Sequence, residues 1–297
     1  MIIAFGLGVG VLVGLTGIGG GSLMTPLLII FAGISPVVAI GTDLAYGAIT
    51  KTVGGWRHLR KGTVDLGVSK WLAVGSVPGS LLGVIAVNRL HSSYGSGFDD
   101  TLLYAIAGAL IIVAAAVLGR ALFMPHLLVR ERHAVAMTTG VRAGAVGLGF
   151  VLGGLVGMTS VGSGALIGLA LILVFRLTPH RVVGTDVFHA AVLLWSAGLA
   201  HWVTGNVNLG LMANILLGSL PGVWIGTALI TKVPAHGLRP ALGCVLLGSA
   251  LGVLTKAGVA LPAAVIVGVP AAAGLVAYVL HRVRGPRALA LPEASAA

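Results

Sequence analysis

The chain has 297 residues, of which 57% are hydrophobic and 8% charged, with 47 glycines and a mean hydropathy of +1.08. Polar surface is too scarce to cover a soluble domain, so the composition is that of an integral membrane protein. The formal net charge of +11 would point a soluble chain toward nucleic acid, but here the cations lie between apolar runs; they read as membrane-orientation signals, with no nucleic-acid partner.

A helix needs roughly 20 apolar residues to cross a bilayer, and runs of that kind recur along the whole chain, so helices rather than a barrel are predicted to span it. The first run begins at Met1 without a charged leader or cleavage site, so no removable signal peptide is expected. It breaks at Gly17 to Gly21 and resumes from Leu23 to about Gly33. Ser35-Pro36 reads as an N-cap with proline in the first turn, opening a helix through Asp43 and Lys51 to about Trp56. The basic loop Arg57-His58-Leu59-Arg60-Lys61 follows, then spans from about Leu66 to Val87 and Leu102 to Phe123 with a polar loop between them carrying Arg89, Asp99 and Asp100. A connection with Arg130, Glu131 and Arg132 leads into a second broken run from about Ala143 to Phe175. Thr178-Pro179 opens a helix to Val203, and spans near Leu209 to Ile230 and Arg239 to Leu254 complete a second copy of the plan. A final run from Val259 to Leu280 ends in a short polar tail expected to be disordered. The single cysteine, Cys244, sits in an apolar run; no disulfide forms within the chain, and a packed thiol is expected.

The two halves are repeats. Thr16-Gly17-Ile18-Gly19-Gly20-Gly21-Ser22-Leu23 corresponds to Thr159-Ser160-Val161-Gly162-Ser163-Gly164-Ala165-Leu166, and Gly41-Thr42-Asp43 to Gly184-Thr185-Asp186. The same register pairs Pro36 with Pro179, His58 with His201 and Gly75-Ser76 with Gly218-Ser219, and roughly a third of the paired positions are identical. The expected division is a first transmembrane repeat over 1–124, a cytoplasmic connection over 125–141, a second repeat over 142–257, an additional helix over 258–281 and a polar cytoplasmic tail over 282–297. Loop charges orient the halves. Arg57 to Lys61 holds three cations where its counterpart, Ala200 to Thr204, has only His201; the next pair of loops reverses the bias, with Asp99 and Asp100 against Lys232 and Arg239. Cations favour the cytoplasmic side, so equivalent loops are predicted on opposite sides, and Lys256 alone runs against that assignment in the second half. The predicted fold is therefore an all-α, polytopic transmembrane bundle of two inverted repeats, each with a Gly-rich broken or re-entrant helix.

Matching broken runs in two inverted halves point to a transport site near the membrane midplane. An interrupted helix exposes unpaired N–H groups that lipid cannot satisfy, so they face a cavity, water or an anion. The predicted substrate-binding residues are Gly19, Gly20, Gly21, Ser22, Thr42 and Lys51 in the first half, and Gly162, Ser163, Gly164 and Thr185 in the second. For any one of these glycines, close helix packing is the competing explanation. Asp43, Tyr46, Gly47, Thr50, Lys51, Gly54 and His58 form one stripe, in which Leu193 and Leu194 replace Thr50 and Lys51 in the second copy. Lys51 either neutralises a bound anion or pairs with Asp43, Asp186 or backbone carbonyls. Asp43, Asp186 and His189 are assigned proton-coupling or structural roles. No motif calls for a cofactor or a metal, and clustered Met or Cys ligands for metal transport are missing. The partners expected are a small anionic substrate and the lipid bilayer, and no feature bears on oligomeric state.

The glycine cluster with Ser22-Leu23 and Pro26, the Gly-Thr element after Pro36, the basic loop before Gly62-Thr63-Val64-Asp65, and Gly75-Ser76 with Pro78-Gly79 and Gly83 together resemble the TauE/SafE sulfite exporter family. The second half matches in the same order, through Gly205-Asn206-Val207-Asn208, Gly218-Ser219 and Pro221-Gly222. That resemblance implies a bacterial inner-membrane carrier, not an enzyme, for a small sulfur-containing or organosulfur anion of the sulfite, sulfonate or thiosulfate type, often coupled to the proton gradient. The sequence departs from the pattern in the second cluster, which lacks a Gly triplet, and at Asp43 and Asp186. Two alternatives remain. A passive anion channel would use the same half-helix ends. An intramembrane serine hydrolase would need Ser163 within reach of His189 or His201, yet the repeat equivalent of Ser163 is Gly20.

Overall fold

The computed structural model describes residues 2–16, 21–123, 135–229 and 235–284. Among these, eleven α-helices and no strand are present: α1 (Ile2–Thr16), α2 (Gly21–Phe31), α3 (Pro36–Arg60), α4 (Leu66–Tyr94), α5 (Ser96–Phe123), α6 (Thr139–Thr159), α7 (Ala165–Leu173), α8 (Pro179–Val203), α9 (Leu209–Leu229), α10 (Ala235–Lys256) and α11 (Ala263–Arg284). Six helices, in α4, α5, α6, α8, α9 and α11, are long and apolar enough to cross a membrane. The all-α, multi-pass character expected from composition is therefore present.

Helix starts follow local chemistry. Pro36 and Pro179 occupy the first turn of α3 and α8, where a missing N–H costs nothing, and Ser35 and Thr178 hold the N-cap positions before them, as expected for Ser35, though neither makes a side-chain cap hydrogen bond. Side-chain capping occurs instead at α4 and α9. The Val68 amide donates to Asp65 Oδ1 at 3.0 Å, and the Leu211 amide donates to Asn208 Oδ1 at 2.9 Å. The polar loop expected between the third and fourth runs is absent. Helix α4 continues through Asn88, Arg89 and His91 to Tyr94, turns once at Gly95 with φ +55°, and α5 starts at Ser96. Low hydropathy there marks departure from lipid, not departure from helix. Helix α6 begins at Thr139 and α11 continues to Arg284; the remainder of the expected tail, and Arg130 to Arg132, lie outside the described residues.

Tight packing is built from glycine ridges at four-residue spacing. Gly75, Gly79 and Gly83 of α4 lie against the backbone of α6 at Val146, Phe150 and Gly154, while Gly149, Gly153 and Gly157 of α6 lie against Leu72, Ser76 and Ser80. The same arrangement recurs where α1 meets α9: Gly218, Gly222 and Gly226 contact Ile3, Leu7 and Val11, and Gly6, Gly10 and Gly14 contact Ile215, Ser219 and Val223. Small residues allow this backbone-to-backbone approach in lipid, where packing rather than water expulsion drives association. Residue numbers rise together across each pair, so α4 and α6 run parallel, as do α1 and α9.

Helices α3 and α8 run antiparallel through the centre. Gly41 meets Asn206 and His201, Gly198 meets Ala45, Gly47 meets Leu194, and Gly55 meets Phe188. Helices α5 and α10 are likewise antiparallel, with Gly243 beside Leu118 and the Tyr104 hydroxyl donating to the Ala257 carbonyl at 3.1 Å. Charge separates to the two ends of this bundle. Arg57, Arg60, Lys61, Lys70, Arg142 and Arg181 gather where α3 ends and α4, α6 and α8 begin. Arg89, Asp99, Asp100 and Lys256 lie at the other end.

Candidate functional site

At the centre of the bundle, buried polar groups converge from the two glycine clusters and from α3 and α8. Helix α6 ends at Thr159, where Ser160 takes the left-handed conformation at φ +60°, and Gly162 follows at φ +103°, a conformation that suits glycine. Gly164 precedes the first turn of α7. Gly21 is the first residue of α2, while Gly19 and Gly20 lie outside the described residues. The second cluster touches the first: the Gly162 amide donates to the Ser22 hydroxyl at 3.4 Å. Ser22 and Ser163 are both buried.

Asp43 ties these pieces together. Its Oδ2 accepts from the Thr25 hydroxyl on α2 at 2.6 Å and from the Ser160 hydroxyl at 2.9 Å, and its Oδ1 has no partner. The repeat equivalent, Asp186, is placed differently. Gly168 stands where Thr25 would be needed, Asp186 Oδ1 has no partner, and the group acting on the carboxylate electrostatically is Lys51. Lys51 is 8% exposed and Asp186 5% exposed, and the Lys51 ammonium makes no hydrogen bond. The two charges therefore sense each other across a gap wider than a contact ion pair.

The other expected site residues divide between this centre and its supports. His189 Nε2 lies 3.3 Å from the Ser76 hydroxyl, and its buried Nδ1 has no hydrogen-bond partner. Tyr46, at the position equivalent to His189, faces Ser219, the equivalent of Ser76. Thr42 and Thr185 are buried, and their hydroxyl oxygens accept from the helix-start amides of Asn208 at 3.1 Å and Asp65 at 2.8 Å. His201 Nε2 lies 3.1 Å from the Gly157 carbonyl. Two members of the cluster were not among the expected site residues, Thr25 and Ser160. Thr25 had a signal: it follows Ser22 by three residues and so shares its helical face.

Residues 2–253 match the family described as sulfite exporter TauE/SafE. The chain belongs to the TauE/SafE family. Among curated relatives of this family member, the probable membrane transporter protein YjnA of Bacillus subtilis is 39% identical over 250 residues, covering 84% of this chain and 97% of its own. The B. subtilis probable membrane transporter protein YdhB is 27% identical over 78% of this chain and 91% of its own length. A probable membrane transporter protein of Xylella fastidiosa (strain Temecula1) is 26% identical over 89% of this chain and 98% of its own. No solved structure matches. The TauE/SafE chain is thus a multi-pass membrane transporter, and the convergence of both glycine clusters on Asp43 gives it a buried polar centre.

Proposed function

We propose that this protein is a secondary-active carrier that moves a small sulfur-containing or organosulfur anion, of the sulfite, sulfonate or thiosulfate type, across the bacterial inner membrane by alternating access. The observation that carries the reading is the meeting of the two helix breaks, Ser22 against the Gly162 amide and Ser160 against Asp43, with an unpartnered buried Lys51 about two turns further along α3. The amides at the starts of α2 and α7 supply positive dipole ends, Ser22 and Ser163 supply hydroxyls, and Lys51 supplies the neutralising cation.

Two inverted repeats account for the packing. Equivalent helices α3 and α8 run antiparallel, as do α5 and α10, and contacts such as Gly75 to Val146 recur 143 positions on as Gly218 to a residue, Ile3, that is 143 before Val146. Re-entrance is supported by where the broken segments start and stop. Helix α1 starts beside Ile215 near the head of α9, and α3, which follows α2, starts at that same end beside Asn206. Helices α2 and α7, at 11 and 9 residues, are also too short to cross. Rocking of one inverted half against the other would expose the centre to each side in turn. The basic end, with Arg57, Lys61 and Arg181, is assigned to the cytoplasm, which places the end of α11 there too.

Counterflow in proteoliposomes tests the reading. Unlabelled sulfite inside should accelerate and saturate the entry of labelled sulfite, with sulfate, sulfoacetate and chloride as competitors. An anion current with no counterflow stimulation would overturn the carrier in favour of a passive channel.

A further inference from the structure

Resting on that transport reading, we infer that Lys51 and Asp186 act as a coupling pair: the Lys51 ammonium takes the anion, and Asp186 takes up one proton for each monoanion that enters, while Asp43 remains a structural acid. Lys51 is the only buried lysine or arginine among the described residues, and neither its ammonium nor Asp186 Oδ1 has a hydrogen-bond partner; Asp43 Oδ1 shares that lack, but the other Asp43 oxygen is held by two hydroxyls. Gly54 packs against Val187, the neighbour of Asp186, and Gly47 against Leu194, so Lys51, between them on α3, stands within about one turn of Asp186 along the antiparallel α8.

The charge ledger gives the mechanism. With the site empty, Lys51 and Asp186 neutralise each other across their gap. A monoanion seated on Lys51 would leave Asp186 as an excess negative charge in a buried site, which the low-dielectric surroundings disfavour. A proton taken from the same aqueous face onto the Asp186 carboxylate restores neutrality; it leaves on the other face with the anion, and no other bond forms or breaks. Asp43 does not enter this exchange, because its Oδ2 is held by Thr25 and Ser160 and its charge is the same with and without anion. Near the depth of Asp186, α3 brings Lys51 and His58, α8 brings Arg181 and His189, and the start of α4 brings Asp65 and Lys70, with Arg181 paired to Asp65; Asp43 and Tyr46 lie toward the other end of α3, and α7 has no ionisable side chain. Of these groups only Lys51 acts on Asp186. The repeat places Leu194 where Lys51 stands, so the second half holds no matching cation and the protein has one such pair.

The test uses the purified full-length protein in liposomes with labelled sulfite, thiosulfate and methanesulfonate. The pH series uses the latter two, whose charge is constant near neutrality. In the wild type, an exterior more acidic than the lumen should drive accumulation, KM should fall up to about tenfold per unit of acidification, and addition of methanesulfonate to unbuffered protein should take up one proton per anion bound. Asp186→Asn should lose accumulation and the pH dependence of KM but keep exchange. Lys51→Leu should lose both, as a folded and monodisperse protein. Gradient-driven accumulation by Asp186→Asn, or anion binding to the wild type without proton uptake, would each overturn the pair. Exchange with no proton linkage overturns this inference while leaving the carrier intact, whereas failure to exchange any of the three anions overturns both.

Discussion

Asp43 and Asp186 occupy the same position in two copies of one plan, yet their surroundings have diverged. Asp43 joins three segments, α3, α2 and the break after α6, through two hydroxyl donors on one oxygen. Asp186 has lost that clasp, because Gly168 replaces Thr25, and has gained Lys51 across the interface. Duplication supplies the frame and leaves the charges free to differ. An acid that is held by hydroxyls resists movement, while an acid balanced by one distant cation responds to whatever else that cation binds.

The frame itself should be symmetric, and that is the largest effect to test. Gly75 and Gly218 are equivalent, and a Cβ at either would overlap a carbonyl, of Val146 or of Ile3. Backbone cannot yield as a flexible side chain does, so Gly75→Leu and Gly218→Leu should each abolish the folded protein, read as loss of the monodisperse peak in detergent. The alanine variants should each destabilise the fold by about 3 kcal/mol or more, read as a similar fall in melting temperature at both sites. Gly8 and Gly147 face open space, and their repeat equivalents are Val151 and Ala4, so alanine there should be tolerated. Unequal loss at Gly75 and Gly218 would break the equivalence of the halves.

The next effect separates the two acids. Asp43→Ala leaves the Thr25 and Ser160 hydroxyls buried without their acceptor, at about 1–3 kcal/mol for the site. Removing the second acid together with its cation, Lys51→Leu with Asp186→Ala, strands no hydroxyl and no lone buried charge and should cost less. Thermal unfolding in detergent checks the order, and a larger loss in the double variant than in Asp43→Ala would reverse the roles assigned to the two acids.

Much of this contrast was legible in the sequence, because the constant offset converts one chain into two aligned copies and shows Leu194 opposite Lys51 at once. Helix starts at Pro36 and Pro179 were legible for a steric reason, since proline is excluded from most other helical positions. The stretch from Asn88 to Thr101 was misread because hydropathy reports the solvent and not the backbone, and α4 simply continues into water. Thr25 and Ser160 were hidden for a different reason. Membrane helices carry many hydroxyls that bond back to their own carbonyls, as Thr52 does to Ala48 at 2.7 Å and Thr159 to Leu155 at 2.7 Å. A single Thr or Ser therefore carries little signal until its partner is placed beside it. Lys51 and the two acids stood out because a charge inside the membrane is costly whatever surrounds it.

The smallest effect concerns the ends of the bundle. At the basic end, Arg181 Nη1 lies 3.6 Å from Asp65 Oδ2, and the Asp65 amide donates to Thr185; at the other end Val38 replaces Arg181, Asn208 replaces Asp65, and only the amide bond to Thr42 remains. The uncharged end shows that the hydrogen bond alone suffices to join the two helices. Arg181 is a quarter exposed in its side chain, so solvent screens the ion pair, and Arg181→Gln should cost about 0.5 kcal/mol in unfolding and less in high salt. Asp65→Asn should fall in the same range, because asparagine caps α4 as Asn208 caps α9. A loss of several kcal/mol in either variant would mean that the basic end is held by charge, and that the two ends differ in mechanism as well as in sign.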